Sequence, residues 1–384
     1  MREFDAQPCT TDLLFLGECT RWDEVRHELL WVDFYAGRLY RATANGERVE
    51  IVNSYEVEGT MSAVAPLRDR GKGWIIAADQ SLAILDEEGK LRELDRPEAA
   101  NAPRVRMNDG VADPWGKFWI GSMAIDGTPE EGSLYRHGTR SETVRVLSGL
   151  TISNGLGWSP DGRTMYFVDS GPGTVYSFDV DDEGGVRIQR SLIQFDPQHG
   201  GIPDGLCVDA EGALWIAVWG GNAVNRYSPS GELIARVALS TRQPTSCAIG
   251  GETTTTLYIA TAREDLSAEQ LELEPHAGRI FCADGGSLDY PLTRLPKAKA
   301  APRRHRLVCF WRIKGELRQA SFRHVSLRLH EDVPHPVAAR AKVLHSDERD
   351  CERRVTLCCS PLGMRTSPLM GRHIFQGRFR RIRY

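Results

Sequence analysis

The hydrophobic residues of this chain gather into short β-rich runs, each centred on an aromatic and bounded by polar or turn-forming residues. The runs are Leu30-Trp31-Val32-Asp33, Gly73-Trp74-Ile75-Ile76, Phe118-Trp119-Ile120-Gly121, Met165-Tyr166-Phe167-Val168, Leu214-Trp215-Ile216-Ala217 and Leu257-Tyr258-Ile259-Ala260, with aromatics 43, 45, 47, 49 and 43 residues apart. After a Gly- or Asn-containing turn each is followed by a second run: Gly37-Arg38-Leu39-Tyr40, Ser81-Leu82-Ala83-Ile84, Gly132-Ser133-Leu134-Tyr135, Gly173-Thr174-Val175-Tyr176, Asn222-Ala223-Val224-Asn225 and Gly278-Arg279-Ile280-Phe281. Such pairs read as hairpins. Tight turns such as Ser159-Pro160-Asp161-Gly162 and Asp209-Ala210-Glu211-Gly212 sit just before aromatic strands, where a positive φ or a fixed proline φ is useful. Helical periodicity is confined to Leu266 to Leu273.

A period of about 45 residues with several strands per unit predicts an all-β fold, a β-propeller of six blades around a central channel. A β-sandwich with coincidental spacing would not repeat the same two-strand phrase six times. Room for a closing strand is left between Phe281 and Leu295.

Charge divides the chain at Pro296. Residues 1–296 carry 45 acidic and 27 basic side chains, a balance of −18, whereas residues 297–384 carry 7 and 21, a balance of +14. The first part reads as the propeller domain. The second, with scattered Arg pairs and no strand or helix period, predicts a basic tail that is disordered or non-native, such as read-through translation appended to a propeller gene. No apolar run exceeds seven residues, so no membrane-spanning helix is expected, and Met1-Arg2-Glu3-Phe4-Asp5 lacks the apolar stretch of a secretory signal. The nine cysteines include no CxxC pair, and Cys207, Cys247 and Cys282 read as reduced, buried small hydrophobes. A cytoplasmic protein follows, expected as a monomer or weak oligomer.

In a propeller the innermost strand of each blade begins at one mouth of the channel. Counting back 11 to 13 residues from each aromatic lands on Glu18, Ser62, Asn108, Asn154, Asp204 and Ser246, all polar. Asn-Gly and Asp-Gly dipeptides are ordinary turn formers, but recurrence in phase with the blades favours a shared site. Carboxylates gathered on one ring repel unless a cation sits between them. Glu18, Asn154 and Asp204 offer only oxygen, which favours one divalent cation, Ca2+ first, then Mg2+ or Mn2+, with Zn2+ last because it prefers nitrogen and sulfur. Three protein ligands leave positions for water and substrate, as a Lewis-acid catalyst needs.

Arg106 lies two residues before Asn108, so on an extended segment both could face one side. It serves a polyhydroxylated or anionic substrate, or it forms a surface ion pair. His199 precedes Asp204 and either reaches the mouth or is a solvated loop histidine. Trp22, Trp115, Trp158 and Trp219 lie near the same loops, and most are expected to pack between blades.

With six blades and an acid, amide, acid set on successive inner strands, the sequence resembles the regucalcin (senescence marker protein) and gluconolactonase family over roughly Leu13 to Leu295. The most specific stretches are Arg106-Met107-Asn108-Asp109-Gly110 with Asp113 and Gly121-Ser122-Met123-Ala124, then Ser153-Asn154-Gly155-Leu156 through Asp169-Ser170, and Pro203-Asp204-Gly205 through Leu214-Trp215. The resemblance implies that Glu18, Asn154 and Asp204 hold the metal and that Arg106 and Asn108 contact a sugar lactone. It implies hydrolysis of the lactone ester to an aldonic acid, with the cation polarising the carbonyl and Asp204 accepting the proton of the attacking water. A metal-bound carboxylate is a weak base, so Asp204 can play both parts only through its uncoordinated oxygen. Three departures stand out: Cys19-Thr20 where relatives usually carry a Gly-Pro turn, Ile125 beside Asp126 where some carry an acidic substrate contact, and the tail, which has no counterpart.

Two other functions compete with a metal-dependent sugar lactonase. One is a calcium-binding propeller of the regucalcin type without catalysis. The other is nucleic-acid binding by the tail, which rests on charge alone, since its basic residues are scattered and its only aromatic-rich segment is Phe310-Trp311. The expected partner is therefore a small-molecule sugar lactone, with neither membrane nor nucleic acid.

Overall fold

All six repeat aromatics are buried, between 0 and 4 % exposed for Trp31, Trp74, Trp119, Tyr166, Trp215 and Tyr258, so each run is the centre of a sheet sandwiched between neighbours. The structure is a computed structural model; it describes residues 1–67, 73–100, 103–138, 143–182, 184–196, 200–251 and 256–284, with four strands beyond residue 300. The chain divides into two compact units, Met1–Lys299 and Ala300–Tyr384.

The first unit is the six-bladed β-propeller that the sequence predicts. Each blade is an antiparallel sheet whose strands follow one another from the channel outwards. The first four blades begin with the inner strands Gly17–Asp23, Met61–Pro66, Val105–Ala112 and Ser153–Trp158, and each has four strands. The fifth runs from Ile202–Val208 through Leu214–Trp219 and Ala223–Tyr227 to Leu233–Ala238. The sixth has Pro244–Gly250, Thr256–Thr261 and Phe281–Asp284.

Closure of the ring differs from the sequence expectation. The fourth strand of the last blade comes from the beginning of the chain: Gln7–Pro8 pairs antiparallel with Phe281–Asp284. Just before it, Arg2–Asp5 adds a parallel fifth strand to Leu233–Ala238. The two ends of the propeller are thereby stitched into one another, and the outer edge of Phe281–Asp284 is covered by Gln7–Pro8. The space between Phe281 and Leu295 where a closing strand was expected lies, beyond Asp284, outside the described residues.

In two blades a turn aspartate satisfies the buried indole of the central tryptophan. Asp113 Oδ1 accepts from the Trp115 and Lys117 amides, and its Oδ2 from the Trp119 indole at 3.0 Å. Two blades later Asp209 repeats the arrangement at the same offset, accepting from the Glu211 and Ala213 amides and from the Trp215 indole at 3.0 Å. The turn that precedes each of these strands therefore also fixes its central tryptophan. Three of the other tryptophans pack between blades as expected: Trp158 lies edge-on against Trp119 at 5.7 Å, Trp115 against Gly162, and Trp22 against Gly250. Trp219 packs on Leu16, Phe34 and Ala262.

The single helix of the described residues, Ala268–Leu273, falls within the one stretch of helical periodicity and opens with a capping box between Ser267 and Gln270. Cys9, Cys19, Cys207, Cys247 and Cys282 are free thiols; Cys247 and Cys282 are buried, and Cys207 is half-buried. In the second unit four strands pair as two hairpins, Val308–Ile313 with Glu316–Ser321 and Arg353–Leu357 with Phe375–Phe379. The rest of 297–384, and with it the expectation of disorder there, lies outside the described residues.

Candidate active site

Every inner strand breaks its pairing register at or beside its ring residue. One extra residue is inserted between Glu18 and Arg21, Met61 and Ala63, Met107 and Gly110, Ser153 and Leu156, Pro203 and Leu206, and Pro244 and Ser246. A β-bulge of this kind re-aims a side chain that the pleat would otherwise send into the sheet. Six bulges at one height give the propeller a ring of diverted side chains.

The glycines that follow the ring residues have a different purpose from turn formation. A Cβ on Gly155 would stand 2.5 Å from the Leu206 amide nitrogen and 2.6 Å from the Asp204 carbonyl; on Gly205 it would stand 2.7 Å from Ser246 Cα and from the Thr245 carbonyl. Neither has a positive φ. These glycines let the fourth, fifth and sixth inner strands touch, which draws Asn154 and Asp204 toward each other. The first inner strand is tied to the sixth by polar contacts instead: the Thr20 amide and hydroxyl meet Ser246 Oγ at 2.9 Å each, and Thr245 Oγ1 donates to the Gly17 carbonyl at 2.5 Å.

Glu18, Asn154 and Asp204 form one electrostatic unit. Burial, then the charge of Asp109, pushes the Glu18 carboxyl up to about 8, against the opposing pull of the Cys19 amide, Arg106 and Arg21. Asp204 is pushed well above the usual carboxylate range, first by burial and then by Glu18 and Asp109, while the Asn154 amide works in the opposite direction. Asp204 is 5 % exposed and its Oδ1 has no hydrogen-bond partner. Asn154 commits its amide nitrogen to Ser170 Oγ at 3.0 Å, so its carbonyl oxygen remains for a cation. Two crowded carboxylates, one with an orphaned oxygen, beside an amide carbonyl fit a hard divalent cation. Among the described residues no group of three or more His, Cys, Asp or Glu side chains is placed to hold a metal; the set here holds two carboxylates and a carboxamide.

Arg106 joins this unit. Burial lowers its guanidinium's affinity for its proton, opposed by Tyr35, Glu18, Glu264 and Asp204. Its Nη1 donates to Asn108 Oδ1 at 2.7 Å and to the Met107 carbonyl at 3.0 Å, and Asn108 Nδ2 donates to the Ser153 carbonyl at 2.9 Å. Asn108 thus holds Arg106 in place. Arg106 is half-buried, and the charges of Glu18 and Asp204 are felt at its guanidinium.

Of the remaining ring positions, Ser246 is engaged with Thr20, and Ser62 is buried with an unpartnered hydroxyl. His199 lies outside the described residues. Ile125 is 58 % exposed.

Sequence reasoning missed a buried ion pair below the ring. Arg21 Nη2 reaches Asp109 Oδ1 at 2.8 Å and the Gly110 carbonyl at 2.9 Å, joining the strand that bears Glu18 to the one that bears Asn108. The signal was two opposite charges, each ten residues before its blade's aromatic, where the other blades place Val64, Leu156, Gly205 and Ala248. The Cys19-Thr20 departure also gains an explanation. Cys19 has φ +50°, which favours glycine, and its thiol compensates by accepting from the Val64 amide at 3.2 Å.

A sequence model of the SMP-30/Gluconolactonase/LRE-like region matches residues 16–263, which span all of these side chains. The chain belongs to this family. Within it, the chain is 35 % identical over 266 residues to the 6-deoxy-6-sulfogluconolactonase of Pseudomonas putida, covering 69 % of this chain and 90 % of that protein. It is 34 % identical over 274 residues to regucalcin of Danio rerio, with 70 % and 90 % covered. Among solved structures, a regucalcin of Agrobacterium tumefaciens described as a calcium-binding protein superimposes with a TM-score of 0.67 at 28 % identity, covering 73 % of this chain and 94 % of that one. A luciferin-regenerating enzyme gives 0.65 at 29 %, with 71 % and 92 % covered. Membership supports a lactonase-type propeller, and the family match and the ring occupy the same unit. No helix among the described residues is long and apolar enough to cross a membrane.

Proposed function

We propose that the propeller unit, 1–296, hydrolyses a sugar lactone to its aldonic acid, using one divalent cation, Ca2+ in the first instance, held by Glu18, Asn154 and Asp204. The observation that carries this reading is the buried, unpartnered Asp204 Oδ1 beside Glu18 and within the field of Arg106. A cation bound there would supply positive charge where negative charge develops on the lactone carbonyl oxygen. Arg106, steadied by Asn108, holds the substrate's oxygen atoms. Asp204 takes a proton from water, the water oxygen adds to the carbonyl carbon, and the ring C–O bond breaks as that proton passes to the ring oxygen. Water and lactone become one aldonic acid, with no other reactant.

The experiment is a panel of γ- and δ-aldonolactones assayed with chelator-treated protein and after return of Ca2+, Mg2+, Mn2+ or Zn2+. Turnover that is lost with chelation and restored by one of these ions supports the reading. Full activity of the metal-free protein would sink it. A calcium-binding role without catalysis is the second reading, motivated by the Agrobacterium tumefaciens relative, a calcium-binding protein. It predicts metal binding with no turnover on any lactone. Against it stands Arg106: a guanidinium fixed beside a cation site is electrostatically unfavourable unless an oxygen-rich ligand lies between them.

A further inference from the structure

Beside the ion ring the mouth carries an arm of aromatic and acidic groups that the reaction above does not use. The Arg106 guanidinium lies over the Phe34 ring, 4.4 Å from its centroid. Phe34 is buried and packs edge-on against Tyr35 at 4.9 Å, and Tyr35 packs edge-on against Phe15 at 5.5 Å. Both outer rings are open to solvent, 50 % for Tyr35 and 52 % for Phe15. The Tyr35 hydroxyl donates to Glu264 Oε1 at 2.6 Å, from a residue 229 positions away. Glu264 is also fixed through its backbone, because its amide and that of Arg263 donate to the Phe15 carbonyl at 3.1 and 2.8 Å. Through Tyr35 and Phe34 this carboxylate is linked to Arg106, where its charge is felt.

These contacts leave Glu264 with one oxygen held by a phenol and a second that can still accept, in a half-buried position. A fixed carboxylate acceptor, a fixed guanidinium and two exposed aromatic rings suit a ligand that is rich in hydroxyls and apolar on its ring faces.

We propose that Glu264 determines substrate specificity: it accepts the hydroxyls of a neutral aldonolactone whose carbonyl end lies toward Arg106 and Asp204, with Tyr35 and Phe15 against the sugar ring. The proposal rests on the lactonase reading. The same carboxylate opposes an anionic substituent, so neutral lactones are preferred over sulfonated ones, unlike the substrate named for the Pseudomonas putida relative.

The test uses the full chain loaded with Ca2+, glucono-1,5-lactone, its 6-deoxy-6-sulfo counterpart, and 1,5-anhydroglucitol as a cyclic polyol without a carbonyl. Glu264→Gln keeps an acceptor for Tyr35 and removes the charge. It is expected to raise KM for the neutral lactone about tenfold with kcat within about threefold, and to narrow the preference over the sulfonated lactone by a similar factor, the size of one charged hydrogen bond. Should that variant not fold, Tyr35→Phe releases the anchor of Glu264 and shifts KM in the same direction by a smaller factor. Unchanged KM and unchanged preference in a folded variant, or a wild type that prefers the sulfonated lactone, overturns the proposal. If the wild type opens no lactone, the lactonase reading fails, and Glu264 is judged on 1,5-anhydroglucitol alone: weaker binding in Glu264→Gln supports it, equal binding overturns it.

Discussion

Asp204 and Asp209 lie in the same blade, both with buried carboxylates, at opposite ends of one inner strand. Asp209 is 0 % exposed and fully engaged: two backbone amides, the Trp215 indole, and Arg226 through Nε at 3.0 Å and Nη2 at 2.6 Å. Asp204 is 5 % exposed, has an oxygen with no partner, and stands near two other carboxylates. The first is a structural group whose charge is cancelled within the fold. The second is not satisfied by the fold alone, as expected of a group that the proposed cation would engage.

Substitution should separate them most sharply. Asp204→Asn is expected to lower lactone turnover by about 10²–10⁴-fold, with urea unfolding of the metal-free protein unchanged or shifted to higher midpoint, because a buried carboxyl that ionises more readily in the unfolded chain has been removed. Asp209→Asn leaves the buried Arg226 guanidinium with the solvent-exposed Glu211 as its carboxylate partner and is expected to cost about 3 kcal/mol of unfolding free energy, with kcat retained by the molecules that fold. The reverse pattern would erase the distinction between the two aspartates.

The pH dependence of stability sharpens it further. The Glu18 carboxyl, ordinarily near 4.5, is held at about 8 in the folded protein. A raised folded value means that its contribution to stability is full below the unfolded value and is lost as pH rises through about 8. Metal-free protein should therefore melt at progressively lower temperature from pH 5 to pH 8.5, and saturating Ca2+ should remove this decline. Below pH 8 binding should also release protons, seen as a calorimetric enthalpy that varies with the buffer. A metal-free melting temperature that does not fall over this range would contradict it.

Two smaller effects test how the ring is built. Gly205→Ala places a methyl against Ser246 Cα and should cost about 1–3 kcal/mol together with metal affinity, whereas Gly200→Ala, with nothing within 4 Å, should stay within about 0.5 kcal/mol of wild type in the same denaturation assay. Cys19→Gly relieves a left-handed backbone but loses the thiol contacts to Val64, so the two terms nearly cancel and a change of less than about 1 kcal/mol is expected.

The blades were legible because their signals are local: an aromatic at the centre of a strand, a turn aspartate a few residues ahead, a repeat that returns six times. Glu18, Asn108, Asn154 and Asp204 were legible for a related reason, since a residue at a fixed distance from each aromatic shares a height in the ring. The Arg21–Asp109 pair, the Tyr35–Glu264 contact and the closing strand Gln7–Pro8 were not, because their partners are far apart in the chain and no periodicity announces them. The glycines after Asn154 and Asp204 were visible as dipeptides but read as turn formers; their role as points of close approach depends on which strands become neighbours.

The sequence by itself determined the number of blades, the strand at the centre of each and the oxygen-bearing residues at their inner ends, because each of these follows from spacing along one chain. Only the tertiary structure decided which of those residues are left unsatisfied. That outcome depends on six bulges turning their side chains into a common space, on two strands from the start of the chain closing the ring, and on which buried charges find a partner within the fold, as Asp209 does and Asp204 does not.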